Sequence, residues 1–216
     1  MYETVIFDLD GTLLDTLDDL HGAVNAALAT YRLPLRSKEE VRGFVGNGIV
    51  KLMERAIGGK ECRADFDGIL TAFKVYYKEH CKDKTAPYAG IMPLLLALKE
   101  RGIKAAVVSN KADFAVKLLA EEYFDGLLLA AVGENESAGI RKKPAPDSLL
   151  AVMEALHADE KTTVYVGDSE VDILTAKNAG VDCLSVTWGF KDRAFLAANG
   201  ARIFIDEPSQ ILAYCK

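Results

Sequence analysis

Two aspartates directly behind a short apolar run are the residues of this sequence best suited to chemistry. Val5, Ile6 and Phe7 predict the end of a buried parallel strand, and Asp8 and Asp10 follow it two positions apart. In an extended chain both carboxylates leave the same face, so two like charges lie close together. Such a pair repels and loses hydration unless a cation or a shared proton lies between its members. The stretch therefore predicts a cation site, a proton-transfer site, or both.

Other polar residues stand near the ends of further predicted elements. Ser109 and Asn110 close the run "IKAAVVSN", and Asp168 closes "TTVYVGD" with Asp172 four residues later. Lys143 lies in "RKKPAPD", just before a predicted helix. Taken singly, each is more typical of a turn, a helix cap or a solvated side chain. In an open α/β sheet, however, ligands bind at the carboxyl ends of the strands, so together these residues predict one site.

The combined set is suited to holding a phosphoryl group beside Mg²⁺. Carboxylates are the hard ligands that Mg²⁺ takes while it keeps positions for water and phosphate oxygens. A hydroxyl and an ammonium suit the remaining phosphate oxygens. Gly11 and Thr12 complete the turn behind the aspartate pair, where the backbone can approach closely and N–H groups can point at an anion. We therefore expect Gly11 and Thr12 to contact the substrate.

The elements that must position these residues alternate along most of the chain. From residue 85 onward, strand and helix patterns take turns, which predicts βαβ units and a doubly wound parallel sheet of the α/β class. Between residues 15 and 84 the periodicity predicts helices only, with Ser37 and Glu40 in capping-box register and Gly58-Gly59 ending a helix. The sequence therefore predicts a core of residues 1–14 and 85–216 and an inserted all-helical domain of residues 15–84.

The composition excludes several classes of protein. Of the 216 residues, 50% are hydrophobic and 27% are charged, which argues against disorder. The formal net charge of −6 argues against a general nucleic-acid or anionic-membrane binder, and no apolar run reaches membrane-spanning length. We expect a cytoplasmic protein with no nucleic-acid or membrane partner, and the oligomeric state stays open. The scattered cysteines favour reduced thiols over a zinc site: Cys62, Cys81, Cys183 and Cys215.

Four short motifs carry a resemblance to a known superfamily. In this order, "DLDGTLLD", "SNK", "KKPAPD" and "GDSEVD" resemble the four motifs of the haloacid dehalogenase (HAD) superfamily, over nearly the whole chain. The helical insertion resembles that superfamily's cap of the first type, a lid that sets specificity. Within it "VGNGIVKLMERAIG", and in the core "YFD" and "RKKPAPD", resemble the phosphoglycolate phosphatase branch. The resemblance implies a HAD-like Rossmannoid core with an inserted cap.

The resemblance implies a Mg²⁺-dependent phosphomonoester hydrolase acting on a small phosphorylated metabolite, most consistent with 2-phosphoglycolate. Asp8 would be the nucleophile that forms an aspartyl-phosphate. Asp10 would protonate the leaving alcohol and then activate water, and its presence favours phosphoryl transfer over dehalogenation. Lys143 would neutralise charge beside Asp8, and Ser109 and Asn110 would bind the phosphoryl group. The implied metal ligands are Asp8, Asp10 through its backbone carbonyl, Asp168, and Asp172 directly or through water and Lys143.

The loop Gly46-Asn47-Gly48 is the candidate for substrate specificity. It opens a predicted helix whose N-terminal N–H groups would meet a substrate carboxylate. An ordinary turn between helices explains the same pattern. Trp188-Gly189, after the last long core strand, is interpreted as an edge of the core rather than a wall of the site.

Other functions stay open on the same residues. A β-phosphoglucomutase-like enzyme uses the same aspartate pair but returns the phosphoryl group to the sugar, and a pyrophosphatase or nucleotidase shares the scaffold. From a different class, the phospho-accepting receiver of two-component systems also has an acceptor Asp, Mg²⁺, a Ser or Thr and a Lys. The D-x-D-G-T stretch on the first strand and the insertion over residues 15–84 fit a receiver poorly. A non-catalytic binding protein is disfavoured because all the expected polar groups are present.

Overall fold

A six-stranded parallel sheet forms the centre of the protein, whose computed structural model describes residues 1–58, 65–135 and 139–216. The strands are β1 (Thr4–Phe7), β2 (Leu14–Asp15), β3 (Ala86–Pro87), β4 (Lys104–Ala112), β5 (Ala130–Glu134), β6 (Thr163–Gly167), β7 (Asp182–Val186) and β8 (Ile203–Ile205). The helices are α1 (Leu17–Thr30), α2 (Lys38–Phe44), α3 (Gly48–Ile57), α4 (Phe66–His80), α5 (Ile91–Glu100), α6 (Asp113–Phe124), α7 (Asp147–Ala155), α8 (Glu170–Ala179) and α9 (Arg193–Ala198). Short 3-10 helices cover Glu160–Thr162 and Pro208–Tyr214.

The central sheet has the strand order β5-β4-β1-β6-β7-β8, and helices cover both of its faces. Along β1, Val5 and Phe7 point to a cluster that includes α5 and α6, while Ile6 points to a cluster that includes α7 and α8. Successive side chains of a strand alternate between faces, so a strand buried on both faces is apolar throughout. The predicted doubly wound parallel sheet is therefore confirmed.

The register of the sheet brings the polar strand ends together. Phe7 pairs with Val107 of β4 and with Val166 of β6, so the carboxyl ends of these three strands lie at one edge. Asp8 follows this row directly, and Ser109 and Asp168 follow it by two residues. Parallel pairing thus converts three distant sequence positions into neighbours.

Helices α1 to α4 pack around an apolar cluster of their own, which includes Leu20, Val24, Leu52 and Phe73. The predicted capping box is present at the start of α2: Ser37 N–H donates to Glu40 over 2.7 Å, and Glu40 N–H donates to Ser37 Oγ over 3.2 Å. Gly58 ends α3 with a left-handed φ of 69°, as predicted, whereas Gly59 lies outside the described residues. The insertion of helices is confirmed, and its independence as a domain stays a prediction.

Two linkers join the helical insertion to the sheet. The first contains β2 and the second, residues 84–87, contains β3; β2 and β3 pair antiparallel. Asp19 of α1 is buried and accepts hydrogen bonds from Lys84 N–H, Thr85 N–H and Thr85 Oγ1, the last over 2.8 Å. The sequence pattern predicts no strand here, because two residues are too few to show an alternation.

Two further sequence expectations concern the state of the cysteines and the possibility of a membrane-spanning helix. Cys81, Cys183 and Cys215 are free thiols, and Cys62 lies outside the described residues. Within the described ranges, no helix combines the length and the apolar character needed to cross a membrane.

Candidate active site

The sheet edge gathers the charged residues that the sequence predicted for the core. Lys143 is 2% exposed, and its Nζ lies 3.0 Å from Asp8 Oδ1 and 2.7 Å from Asp172 Oδ1. It also donates to the Tyr165 hydroxyl over 2.9 Å, and that hydroxyl donates to the Val108 carbonyl over 2.7 Å. A lysine ammonium has three N–H donors, so all three have partners here. Lys143 is thereby fixed between two carboxylates.

A second buried lysine, Lys111, contacts the other aspartate of the pair, Asp10. Lys111 is 2% exposed, and its Nζ lies 2.8 and 3.1 Å from the two carboxylate oxygens of Asp10. It also donates to the hydroxyl of Tyr77, which belongs to α4 of the helical insertion. Lys111 is not among the site residues predicted from the sequence, although it directly follows Ser109 and Asn110, which are.

Asp168 is held by neutral groups instead of a lysine. Thr12 Oγ1 donates to Asp168 Oδ1 over 3.3 Å, and the N–H of Phe190 donates to Asp168 Oδ2 over 2.7 Å. Two glycines let the backbone come this close. A Cβ on Gly11, whose φ is +82°, would lie 2.4 Å from Asp168 Oδ2, and one on Gly189 would lie 2.3 Å from Asp168 Cβ. Thr12 therefore lies against Asp168, and only glycine fits at both neighbouring positions.

The segment after β7 belongs both to the core edge and to the site. Trp188 packs against the main apolar cluster, and its Nε1 donates to the Thr12 carbonyl over 3.0 Å. Gly189 and Phe190 then bring backbone atoms to Asp168. The interpretation of Trp188 as a core edge agrees with its packing. The sequence analysis missed Phe190, because a backbone donor has no side-chain signature.

The electrostatics of the site favour a bound cation. Four carboxylates, Asp8, Asp10, Asp168 and Asp172, face two ammonium groups, which leaves an excess of two negative charges. Burial raises the pKa of Asp8 to about 6, opposed by the ammonium of Lys143 and reinforced by the charges of Asp172 and Asp10. Burial, with Asp172 and Asp8 nearby, raises the pKa of Asp168 well above its usual range. A divalent cation would supply the missing positive charge.

The donor set fits a hard metal ion. Asp8, Asp168 and Asp172 are buried, and each offers one carboxylate oxygen within 4.8 Å of the others. Both oxygens of Asp172 already accept hydrogen bonds, Oδ1 from Lys143 and Oδ2 from the N–H and the hydroxyl of Ser169. Asp8 and Asp168 also line the cleft, which Asp172 does not, so these two are better placed as ligands, while Asp172 holds Lys143.

A narrow cleft separates the sheet edge from the helical insertion. Its volume is about 50 Å³. The core contributes Asp8, Asp10, Ser109, Asn110, Lys111, Ala112, Phe114, Asp168, Ser169, Phe190 and Lys191, and the insertion contributes Leu20, Val45, Gly46, Gly48, Ile49, Leu52, Phe73, Lys74 and Tyr77. The cleft therefore lies where the two parts of the chain meet, as expected for a substrate site.

The predicted specificity loop forms part of the cleft wall. Gly46 and Gly48 line it, and α3 begins at Gly48 as predicted. The Asn110 side chain donates to the Gly46 carbonyl over 3.2 Å and to the Lys143 carbonyl over 3.0 Å, so it ties the loop to the core. Asn47 accepts a hydrogen bond from Arg55 over 2.6 Å.

Comparison with known proteins agrees with this geometry. The profile of the family "Haloacid dehalogenase-like hydrolase" matches residues 5–186. Phosphoglycolate phosphatase of Pseudomonas putida is 32% identical over 217 residues, which cover 98% of this chain and 79% of that protein. The protein of the same name from Agrobacterium fabrum is 34% identical over 190 residues, which cover 87% and 81%.

A solved structure is similar over nearly the whole length. It is the crystal structure of a predicted phosphoglycolate phosphatase from Haemophilus somnus, with a TM-score of 0.89, 28% identity, and coverage of 98% of this chain and 97% of that one. The resemblance carried by the four motifs, including that to the phosphoglycolate phosphatase branch, is thereby confirmed. The chain belongs to the haloacid dehalogenase-like hydrolase family.

Proposed function

We propose that this phosphatase hydrolyses a small phosphomonoester through an aspartyl-phosphate on Asp8, with Mg²⁺ as its cofactor. The observation that carries the proposal is the separate environment of the two aspartates behind β1. Asp8 shares the Lys143 ammonium with Asp172, whereas both oxygens of Asp10 contact the Lys111 ammonium. Two carboxylates in one cleft with different partners are suited to two different chemical roles.

In the first half-reaction a carboxylate oxygen of Asp8 attacks phosphorus and forms the new P–O bond. The bond between phosphorus and the substrate's alcohol oxygen breaks, and its electron pair goes to that oxygen. The Asp10 carboxyl gives its proton to the leaving alcohol. Lys143 balances part of the charge beside Asp8, and we infer that Ser109 and the N–H of Asn110 bind phosphoryl oxygens.

In the second half-reaction a water molecule attacks the phosphorus of the aspartyl-phosphate. The water gives a proton to Asp10, now a carboxylate, and the bond between phosphorus and the Asp8 oxygen breaks. Asp8 returns to its carboxylate form and inorganic phosphate leaves. Asp10 again holds a proton, so the next cycle begins with the same enzyme.

We infer that Mg²⁺ is held by the carboxylates of Asp8 and Asp168 and by the backbone carbonyl of Asp10. When bound, it supplies positive charge against the phosphoryl oxygens. The excess of two negative charges and the buried Asp168, which faces no lysine directly, support this assignment. Asp172 would act by orienting Lys143. Gly11 and Thr12 would support Asp168 from behind.

We infer that 2-phosphoglycolate is the substrate and that residues 15–84 act as a specificity cap. The curated relatives carry the name phosphoglycolate phosphatase. The N–H groups at the start of α3, behind Gly46, Asn47 and Gly48, are suited to the carboxylate of that substrate.

The test is phosphate release from a panel of small phosphate esters with and without Mg²⁺. The panel contains 2-phosphoglycolate, sugar phosphates, nucleoside monophosphates and pyrophosphate. We expect preference for 2-phosphoglycolate, loss of activity with excess EDTA, and loss of turnover in Asp8→Asn with the fold retained. Retained turnover in Asp8→Asn would refute the nucleophile. Isomerised sugar phosphate without phosphate release would establish a mutase instead.

A further inference from the structure

Lys111 and Tyr77 form a contact between the sheet and the helical insertion beside the proposed acid and base. Lys111 is the penultimate residue of β4, and Tyr77 lies on α4 with 3% of its surface exposed. The Tyr77 hydroxyl accepts a hydrogen bond from Lys111 Nζ, and its ring centroid lies 4.8 Å from the same atom. The ring is stacked on Phe73 with centroids 5.4 Å apart. The tyrosine is thus packed in the insertion while its hydroxyl reaches the core.

The three N–H donors of Lys111 are fully occupied. Two contact the carboxylate oxygens of Asp10 and the third contacts Tyr77. No donor is left for a phosphate oxygen of a substrate. Although Lys111 lines the cleft, its contacts therefore favour a role through Asp10 over a role as a phosphate ligand.

Lys143 has a similar set of partners, but it contacts two carboxylates, Asp8 and Asp172, where Lys111 contacts both oxygens of one. It also contacts a tyrosine hydroxyl, that of Tyr165. Tyr165 belongs to β6, so the Lys143 arrangement lies wholly within the core. The Lys111 arrangement instead needs α4 in place, because Tyr77 comes from the insertion.

We propose that Lys111 and Tyr77 are positioning residues that fix the Asp10 carboxyl group and make its placement depend on the seated helical insertion. This inference rests on the proposed function, since it concerns the acid and base of that reaction. With α4 seated, Lys111 donates to both Asp10 oxygens, and its third N–H donates to the Tyr77 hydroxyl. With α4 displaced, water replaces the tyrosine and Lys111 loses the partner that orients it. Proton transfer by Asp10 is thereby coupled to cap closure.

The test compares Lys111→Met and Tyr77→Phe with two matched controls. Tyr76→Phe makes the same change on the next residue of α4, where the ring stacks on His80. Lys104→Met makes the same change at the other end of β4, where the ammonium contacts the Leu156 carbonyl. Thermal melts establish that each variant is folded. Should Lys111→Met fail to fold, Tyr77→Phe carries the test alone, since it keeps the packed ring.

With 2-phosphoglycolate we expect kcat to fall about 100-fold in Lys111→Met and roughly tenfold in Tyr77→Phe, within the range that acid–base catalysis contributes. KM should change less than about twofold, because neither residue binds substrate. In the double variant, Tyr77→Phe should add almost nothing to Lys111→Met, since the tyrosine acts through the lysine. Both controls should match the wild type.

The initial burst of nitrophenolate from p-nitrophenyl phosphate distinguishes misplacement of Asp10 from general damage to the active site. Its leaving group needs no proton, so both variants should still release about one equivalent of nitrophenolate per site rapidly. Hydrolysis of the aspartyl-phosphate still needs Asp10, so the later turnover should be slow. A burst that slows as much as turnover, a change in KM alone, or wild-type kcat would each overturn the inference.

The wild type and Asp8→Asn in the same assay separate the two hypotheses. A wild type without Mg²⁺-dependent phosphate release, or an active Asp8→Asn, overturns the proposed function and this inference with it. An active wild type whose Lys111 and Tyr77 variants behave like their controls overturns this inference alone.

Discussion

Without a divalent cation, the charge of the acidic site should make the folded protein less stable at neutral pH than in weak acid. The pKa of Asp8 in the folded protein is about 6, above its ordinary value of 3.8. Between these two values the folded protein binds more protons than the unfolded chain. The free energy of unfolding therefore falls as the pH rises through this range, and the contribution of protonated Asp8 is lost above about pH 6. Bound Mg²⁺ should remove this penalty.

The magnitude follows from the Asp8 shift. About two pKa units correspond to roughly 3 kcal/mol, at about 1.4 kcal/mol per unit. The pKa of Asp168 is raised in the same direction, so its effect has the same sign. Between about pH 5 and the folded-state pKa of about 6, roughly one unit of this shift remains, which is about 1.4 kcal/mol and corresponds to about 3–6 °C in Tm for a protein of this length. We expect Mg²⁺ to raise Tm by that much more at about pH 7.5 than at about pH 5.

Thermal unfolding with excess EDTA or with saturating Mg²⁺, at both pH values, measures this difference. At each pH, the Tm with EDTA is subtracted from the Tm with Mg²⁺. Groups outside the site titrate alike with and without metal, so their contribution to Tm cancels in this difference. Asp168→Asn is the matched variant, because it removes one buried charge with little change in shape. It should weaken both the pH dependence and the response to Mg²⁺. An equal rise in Tm at the two pH values would refute the assignment of the acidic site as the metal site.

Two further changes test the supports of the site. Gly189→Ala should lower kcat/KM by about 100-fold, because its Cβ would lie 2.3 Å from Asp168 Cβ. The control Gly43→Ala, whose Cβ would have nothing within 4 Å, should leave activity unchanged. Equal activities of the two variants would contradict the close approach of Gly189 to Asp168. Asp19→Ala should lower the free energy of unfolding by about 2–4 kcal/mol in urea titrations, because the buried donors of Thr85 in the second linker lose their acceptor. The control Asp18→Ala removes an exposed carboxylate and should cost less than about 1 kcal/mol. Similar losses in both variants would show that the buried acceptor does not hold the linker.

The core of the candidate site was predictable because a parallel sheet imposes a rule on its sequence. Apolar runs in three paired strands are followed by Asp8, Ser109 and Asp168, and parallel pairing places those residues at one edge, whatever their separation along the chain. The alternation of strand and helix patterns identified the sheet, and local chemistry identified the capping box and the glycine that ends α3.

The remaining parts of the site depend on contacts that leave no local pattern. Helical periodicity indicates that Tyr77 is buried, but it does not indicate that its hydroxyl meets Lys111 on another layer. The contribution of Phe190 is a backbone N–H, which any residue except proline offers. The β2–β3 pair has two residues on each side, fewer than a strand pattern requires.

The two lysines give the two aspartates of one short motif different surroundings, which suit the different tasks that we propose for them. Asp10 receives two hydrogen bonds from Lys111, which fix both of its oxygens. Asp8 shares its lysine with Asp172 and stays undercompensated, as its raised pKa indicates. In the mechanism that we propose, bound Mg²⁺ would favour the ionised form of Asp8, and the seated helical insertion would position Asp10. The two members of the pair would then be controlled separately, one by the cofactor and the other by the insertion.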